Sequence, residues 1–226
     1  MDSGENYQRL VDEVKTIAQK CQRNPDEIKI VAVSKQQPLD AILNVYRSGC
    51  LDFAENRVDE ALVKILEAPK EIRWHFIGTL QKNKVSKVIG HYQLIHSVDS
   101  IELAKKISMS SEALNLKTNI LLQVNTSGEL SKHGFSIDSC LANIEELLGL
   151  NGIKIQGLMT MAPFVEDEKI IRSCFSKLRE LRDEINQKVD QSQKLVHLSM
   201  GMTNDYPLAI AEGATLLRIG SKIFLQ

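Results

Sequence analysis

IKIVAVSK, residues 28–35, is a short apolar run rich in β-branched residues that looks built for burial, yet it ends on a lysine. Seven further runs follow along the chain: LDFAEN (51–56), WHFIG (74–78), QLIHSVD (93–99), NILLQVN (119–125), IKIQGLMTM (153–161), KLVHLSM (194–200) and TLLRIG (215–220). Between them lie PLDAILNVYRSG, RVDEALVKILEA, NKVSKVIGHY, SIELAKKISMSSEAL, SIDSCLANIEELLGL, EDEKIIRSCFSKLRELRDEINQKV and NDYPLAIAEGA. These carry apolar residues at three- and four-residue spacing, and several open on Ser, Asp or Asn in capping position, so each predicts a helix. The alternation reads as β/α units.

Eight strands joined by seven helical crossovers can close on themselves, whereas an open sheet of eight would leave two edges to protect. The expected fold is therefore α/β, a single (β/α)8 TIM-type barrel domain spanning residues 1–226. Only SKIFLQ follows the eighth strand, too little for an outer helix. Residues 4–22, with Leu10, Val14 and Ile17 on one face, predict a leading helix instead. That helix is expected to cover the seam between the last strand and the first.

Composition narrows the function classes. A chain of 226 residues suits one large domain, and a formal net charge of −1 lacks the basic footprint of a general nucleic-acid binder. No stretch approaches about 20 uninterrupted apolar residues, and the N-terminus has no apolar leader core, so a soluble cytoplasmic protein with no membrane partner is expected. A monomer is expected. The four cysteines include no C-x-x-C pair and the five histidines no H-x-H or H-x-x-x-H spacing, so no metal site is expected.

In barrels of this kind the chemistry sits at the C-terminal ends of the strands, with phosphate often held by the loops after strands seven and eight. After strand seven comes SMGMTNDYPLAI, where Gly201 allows close backbone approach, Thr203 or Asn204 can cap, Asp205 suits a helix start and Pro207 fits its first turn. After strand eight comes RIGS, with Gly220 and the Ser221 hydroxyl. Closure makes strand one the neighbour of strand eight, at about 4.8 Å, so Lys35 ends beside both loops. A lysine at a strand end is ordinarily solvated. Beside two anion loops it fits a phosphorylated aldehyde or ketone bound as an imine, and burial between apolar walls would lower its pKa toward the nucleophilic amine. Arg218 shares a face with Leu216 and Gly220 and can point inward at the same ligand.

Across essentially the whole chain the sequence resembles the YggS/PROSC-type pyridoxal 5′-phosphate (PLP) homeostasis family. The resemblance rests on AVSK with Lys35, FAENRVDE (53–60), WHFIGTLQKNK (74–84), HSVDS (96–100), NTSGELSKHGF (125–135), GLMTMAP (157–163), HLSMGMTNDYPLAI (197–210) and RIGSKIF (218–224). It implies a barrel similar to the alanine racemase N-terminal domain, with PLP as an internal aldimine on Lys35. It places the phosphate around Ser199, Gly201, Met202, Gly220 and Ser221, Arg218 at the pyridine nitrogen and Asn56 near the ring. Three departures stand out: Ala54 where a glycine is common, Lys222 where a small residue is common, and Leu225-Gln226 in place of a longer tail.

Three functions compete. A carrier would buffer PLP or deliver it to apo PLP-dependent enzymes and have no dedicated amino-acid substrate, as the resemblance implies. A PLP enzyme of racemase type needs an acid/base on each side of the substrate carbanion, and this chain, ending at strand eight, is expected to lack the second domain that supplies one. A Schiff-base aldolase would bind a sugar phosphate and show no chromophore. The carrier is the expected reading.

Overall fold

All eight apolar runs form strands in the computed structural model, which describes residues 2–129 and 133–224. They are β1 (Lys29–Val33), β2 (Asp52–Glu55), β3 (Arg73–Phe76), β4 (Leu94–Val98), β5 (Thr118–Gln123), β6 (Ile153–Met159), β7 (His197–Ser199) and β8 (Leu216–Ile219). Neighbours pair in parallel in chain order, and β8 returns to β1 with Val31 opposite Arg218, closing the barrel. Alternation sorts the side chains. Val31, Ala54, Leu94, Leu121, Met159 and Leu216 meet inside the barrel, while residues of the opposite parity, such as Ala32, Phe53 and Ile95, join the larger core beneath the helices.

The outer layer comprises α1 (Ser3–Lys20), α2 (Leu39–Arg47), α3 (Val58–Glu67), α4 (Val85–Val88), α5 (Ile101–Glu112), α6 (Ile137–Leu148), α7 (Glu168–Lys188), α8 (Tyr206–Ala211) and α9 (Ser221–Phe224). The helix expected over residues 83–92 shrinks to a 3-10 turn, Lys82–Lys84, followed by the single turn of α4. Ile89 is already extended and Gly90 takes φ +81°, a combination that ends the helix.

The leading helix occupies its expected place. α1 starts at Asp2, whose carboxylate accepts from the N–H groups of Gly4 and Glu5, and it packs on α2, α8 and α9 across the β8–β1 seam. Leu10, Val14 and Ala18 are buried against that seam, with Ile17 partly so. Polar contacts pin the middle of α1 and the chain just past its end. Arg23 Nη1 donates to the carbonyls of Ile210 (2.8 Å) and Ala214 (2.7 Å), Lys222 Nζ donates to Glu13 Oε2 (2.6 Å), and the Tyr206 hydroxyl donates to Glu13 Oε1. Lys222 thus ties α9 to α1. The Leu225-Gln226 tail and Lys132 lie outside the described residues. Among the described residues no helix is long and apolar enough to cross a membrane.

Candidate functional site

Val31 and Val33 face the barrel interior, so alternation carries Lys35 to the same side at the C-terminal rim. β1 stops at Val33, however, and Lys35 lies on a turn closed by Gln37 N–H donating to Ser34 O (3.0 Å). Lys35 is exposed there. The expected burial of Lys35 between apolar walls is therefore corrected: the residue is exposed on the turn that follows β1. Gln36 follows at φ +62°, a left-handed conformation that costs a non-glycine residue about 1 kcal/mol and marks the turn as held in place by its surroundings.

Those surroundings are polar and buried. Ser34 continues the ladder by donating its N–H to Ala54 O, and its hydroxyl donates to Glu55 Oε1 (2.7 Å). Lys64 Nζ, reaching in from α3, donates to Glu55 Oε1 (2.8 Å) and to Ser34 O (3.0 Å). The Glu55 side chain is 1% exposed, so its charge depends on Lys64 for compensation.

Arg218 is where strand parity puts it, inside the barrel and 4% exposed. Nη1 donates to Ser199 Oγ (2.7 Å) and Nη2 to Thr160 O (2.9 Å). Those bonds engage two of the guanidinium's five N–H donors, leaving capacity for a ligand. Desolvation pulls its pKa down to about 10, with the Asp205 carboxylate opposing that, so it stays a cation at neutral pH. Gly220 then passes against β1: a Cβ there would stand 3.4 Å from Val33 Cβ and 3.3 Å from Val33 O, two residues before Lys35.

The two expected phosphate loops meet, since Ser221 Oγ donates to Thr203 Oγ1 over 2.9 Å. The first N–H groups of α9, from Ser221 and Lys222, have no acceptor within their own helix. Gly201 takes φ +94° and a Cβ there would lie 2.6 Å from Ala209 Cβ, so this position packs the loop onto α8. Met202, 37% exposed, gives its N–H to Asp205 Oδ1 (2.5 Å), so that group already has an acceptor. Neither Thr203 nor Asn204 caps α8; Asp205 stands at its N-cap and Pro207 falls in its first turn. Asn56 is half-buried beyond β2, its backbone packed so tightly on Gly78 that a Cβ there would overlap Asn56 O. A cleft of about 460 Å³, lined by Pro163, Phe164, Ile171, Asn204 and Leu208, flanks the β7–α8 loop without including Lys35 or Arg218.

Ser199 sits below these loops. It is fully buried at the end of β7, and its Oγ bridges Arg218 to His96 Nδ1 (2.8 Å).

The profile of the family described as "Alanine racemase, N-terminal domain" matches residues 6–226. The chain belongs to that family. A pyridoxal phosphate homeostasis protein of Aquifex aeolicus is 38% identical over 226 residues, covering 99% of this chain and 98% of the relative. The structure of PipY from Synechococcus elongatus PCC7942 with PLP bound superposes with TM-score 0.81 at 35% identity, over 93% of this chain and 99% of that one. Alanine racemase of Clostridium difficile 630, at 16% identity and TM-score 0.77, covers 97% of this chain and 56% of its own, and shows the shared fold.

Sequence reasoning missed His96, Thr160, Glu55 and Lys64. A signal existed for His96, which follows the inward Leu94 by two residues and so shares its face, a polar residue where the barrel interior calls for an apolar one. Lys64 gave none, because its pairing with Glu55 depends on how α3 lies on β2.

Proposed function

We propose that residues 1–226 form one PLP-binding domain in vitamin B6 homeostasis, a carrier that holds PLP on Lys35 and buffers it or delivers it to apo PLP-dependent enzymes. The protein would act as a monomer in the cytoplasm. The relatives named as pyridoxal phosphate homeostasis proteins and the PLP-bound PipY structure support the ligand.

The residues present fit that ligand. A buried cation with spare donors lies inside the barrel, a rim lysine lies on the turn that follows the neighbouring strand, and two joined loops offer hydroxyl and N–H donors. PLP would supply an aldehyde able to condense with a primary amine. Lys35 Nζ would hold it covalently, Ser221 with the first N–H groups of α9 would bind the phosphate with Gly201, Met202 and Gly220 shaping the backbone around it, and Asn56 would flank the ring. Arg218 would donate to the ring nitrogen and keep its own proton, since a guanidinium has donors only. Ser199 would serve by fixing Arg218.

The observation that carries the carrier reading is the likeness, over 99% of this chain, to a relative named as a pyridoxal phosphate homeostasis protein. The test is reactivation of an apo PLP-enzyme by the loaded protein, run beside deuterium exchange at Cα across L- and D-amino acids. Reactivation faster than free PLP allows, without rapid exchange, is expected. Rapid exchange or racemisation of any one amino acid would make the protein an enzyme.

A further inference from the structure

Behind Ser199 the hydrogen bonds continue through the whole barrel. His96 Nε2 lies 2.9 Å from His75 Nδ1, and His75 Nε2 lies 3.0 Å from Asp52 Oδ1. Asp52 also takes a two-pronged contact from Arg73, at 2.8 and 2.6 Å. This far end opens into a polar cavity of about 180 Å³ at the N-terminal face, lined by Lys29, Asp52, Arg73, His75, Asn119 and His197 among others. The linked side chains come from β2, β3, β4, β7 and β8, all on inward positions.

With both imidazoles neutral, the carboxylate end fixes every proton in the chain. A guanidinium can only donate, so Ser199 Oγ accepts from Arg218, and its own hydrogen serves His96 Nδ1. His96 then carries its proton on Nε2 and donates to His75 Nδ1, leaving His75 to donate from Nε2 to Asp52. The Asp52 carboxylate can only accept: burial works against its charge, but hydrogen bonds from His75 and Arg73 outweigh that and hold its pKa below the usual value. Burial, with the nearby His75, Arg218 and His197, keeps His96 neutral.

We propose that His96, His75 and Asp52 are positioning residues for Arg218, a one-directional hydrogen-bond chain along the barrel axis that orients the guanidinium from the face opposite the phosphate loops. The duty of Arg218 toward a ring nitrogen rests on the PLP reading; the chain itself does not. Each imidazole uses one nitrogen to donate and one to accept, so an added proton on His96 sets two donors against each other and one on His75 reverses the chain above it. The charged or titratable groups facing it are Arg73, Lys29, His197 and Cys50 around Asp52, and Arg218 and Asp205 at the other end.

The chain is tested first without PLP. In protein labelled with 15N-histidine, long-range proton–nitrogen spectra at pH 7.5 should show both His75 and His96 as neutral Nε2–H tautomers. An Nδ1–H tautomer or an imidazolium at either would overturn the chain. The second measurement titrates PLP into wild type, His75→Phe, Asp52→Asn and, as a control in the same cavity, His197→Phe. His75→Phe should weaken PLP binding about tenfold and shift the visible band, Asp52→Asn should do so less because its amide oxygen still accepts, and His197→Phe should change neither. A folded His75→Phe protein with the wild-type band and affinity would overturn the positioning role. A wild-type protein that takes up no PLP contradicts the cofactor reading, whereas the tautomers are read without PLP and decide the chain by themselves.

Discussion

Ser34 Oγ donates to Glu55 Oε1 over 2.7 Å, and that bond fixes the residue immediately before Lys35. Because Lys64 supplies the only opposite charge bonded to Glu55 among the described residues, the three act as one unit. Glu55→Ala should cost about 3 kcal/mol in urea unfolding, since Lys64, 16% exposed, is left uncompensated. Glu55→Leu with Lys64→Met should recover most of it. A loss below about 1 kcal/mol for the single variant would show that the pair is held too loosely to set the turn.

Ser221 and Ser199 should separate in a ligand comparison. Ser221→Ala removes the hydroxyl that donates to Thr203 and joins the two loops, and should weaken PLP about tenfold while leaving pyridoxal, which lacks the phosphate, unchanged. Ser199→Ala cuts Arg218 from His96 and should weaken both ligands. Equal loss of the two ligands in Ser221→Ala would move the phosphate elsewhere.

The seam helix should be indispensable. Leu10, fully buried on α1, should cost about 2–5 kcal/mol as Leu10→Ala, and removing residues 2–22 should expose the β8–β1 seam and bring down solubility. A soluble truncation with unchanged melting temperature would mean the seam is covered without α1.

His96 and Asp52 give stability a pH dependence of defined sign. The folded pKa of His96 is depressed below its unfolded value near 6.5, so below that pH the unfolded chain binds the extra proton first. Its contribution is fully present above about pH 6.5 and is lost as pH falls through the folded pKa. The depressed Asp52 pKa adds a second loss below about pH 3.8 by the same sign. Urea midpoints from pH 7.5 to 5 should fall in wild type and fall less in His96→Asn. Identical slopes would remove His96 from the account.

Much of this was legible because it is local. The periodicity of 28–35 and its seven companions needs only neighbouring residues, and parity alone put Arg218 inside the barrel. Closure then brought Gly220 to Val33, near Lys35, as strand adjacency implies. The exposure of Lys35 is what a strand-end lysine ordinarily shows, but the turn beneath it was not legible, because β1 ends at Val33 and Ser34, Glu55 and Lys64 are brought together there from separate parts of the chain. Ser199 closes the strand run KLVHLSM, as expected, but only the inward meeting of β4, β7 and β8 shows its hydroxyl committed to His96 and Arg218. The Asp52–His75–His96 chain is hidden for the same reason. Its members are 21 residues or more apart between neighbours, and barrel closure alone makes them adjacent.

The attachment point of the cofactor is the claim on which the rest depends. Purified protein mixed with PLP, reduced with borohydride, digested and mapped by mass spectrometry reports it directly, and the Lys35→Ala variant supplies the blank. A pyridoxyl group on Lys35 at near-stoichiometric yield and loss of the visible band in Lys35→Ala are expected. A pyridoxyl group mainly on Lys82 or Lys84, or an undiminished band in Lys35→Ala, would contradict the claim.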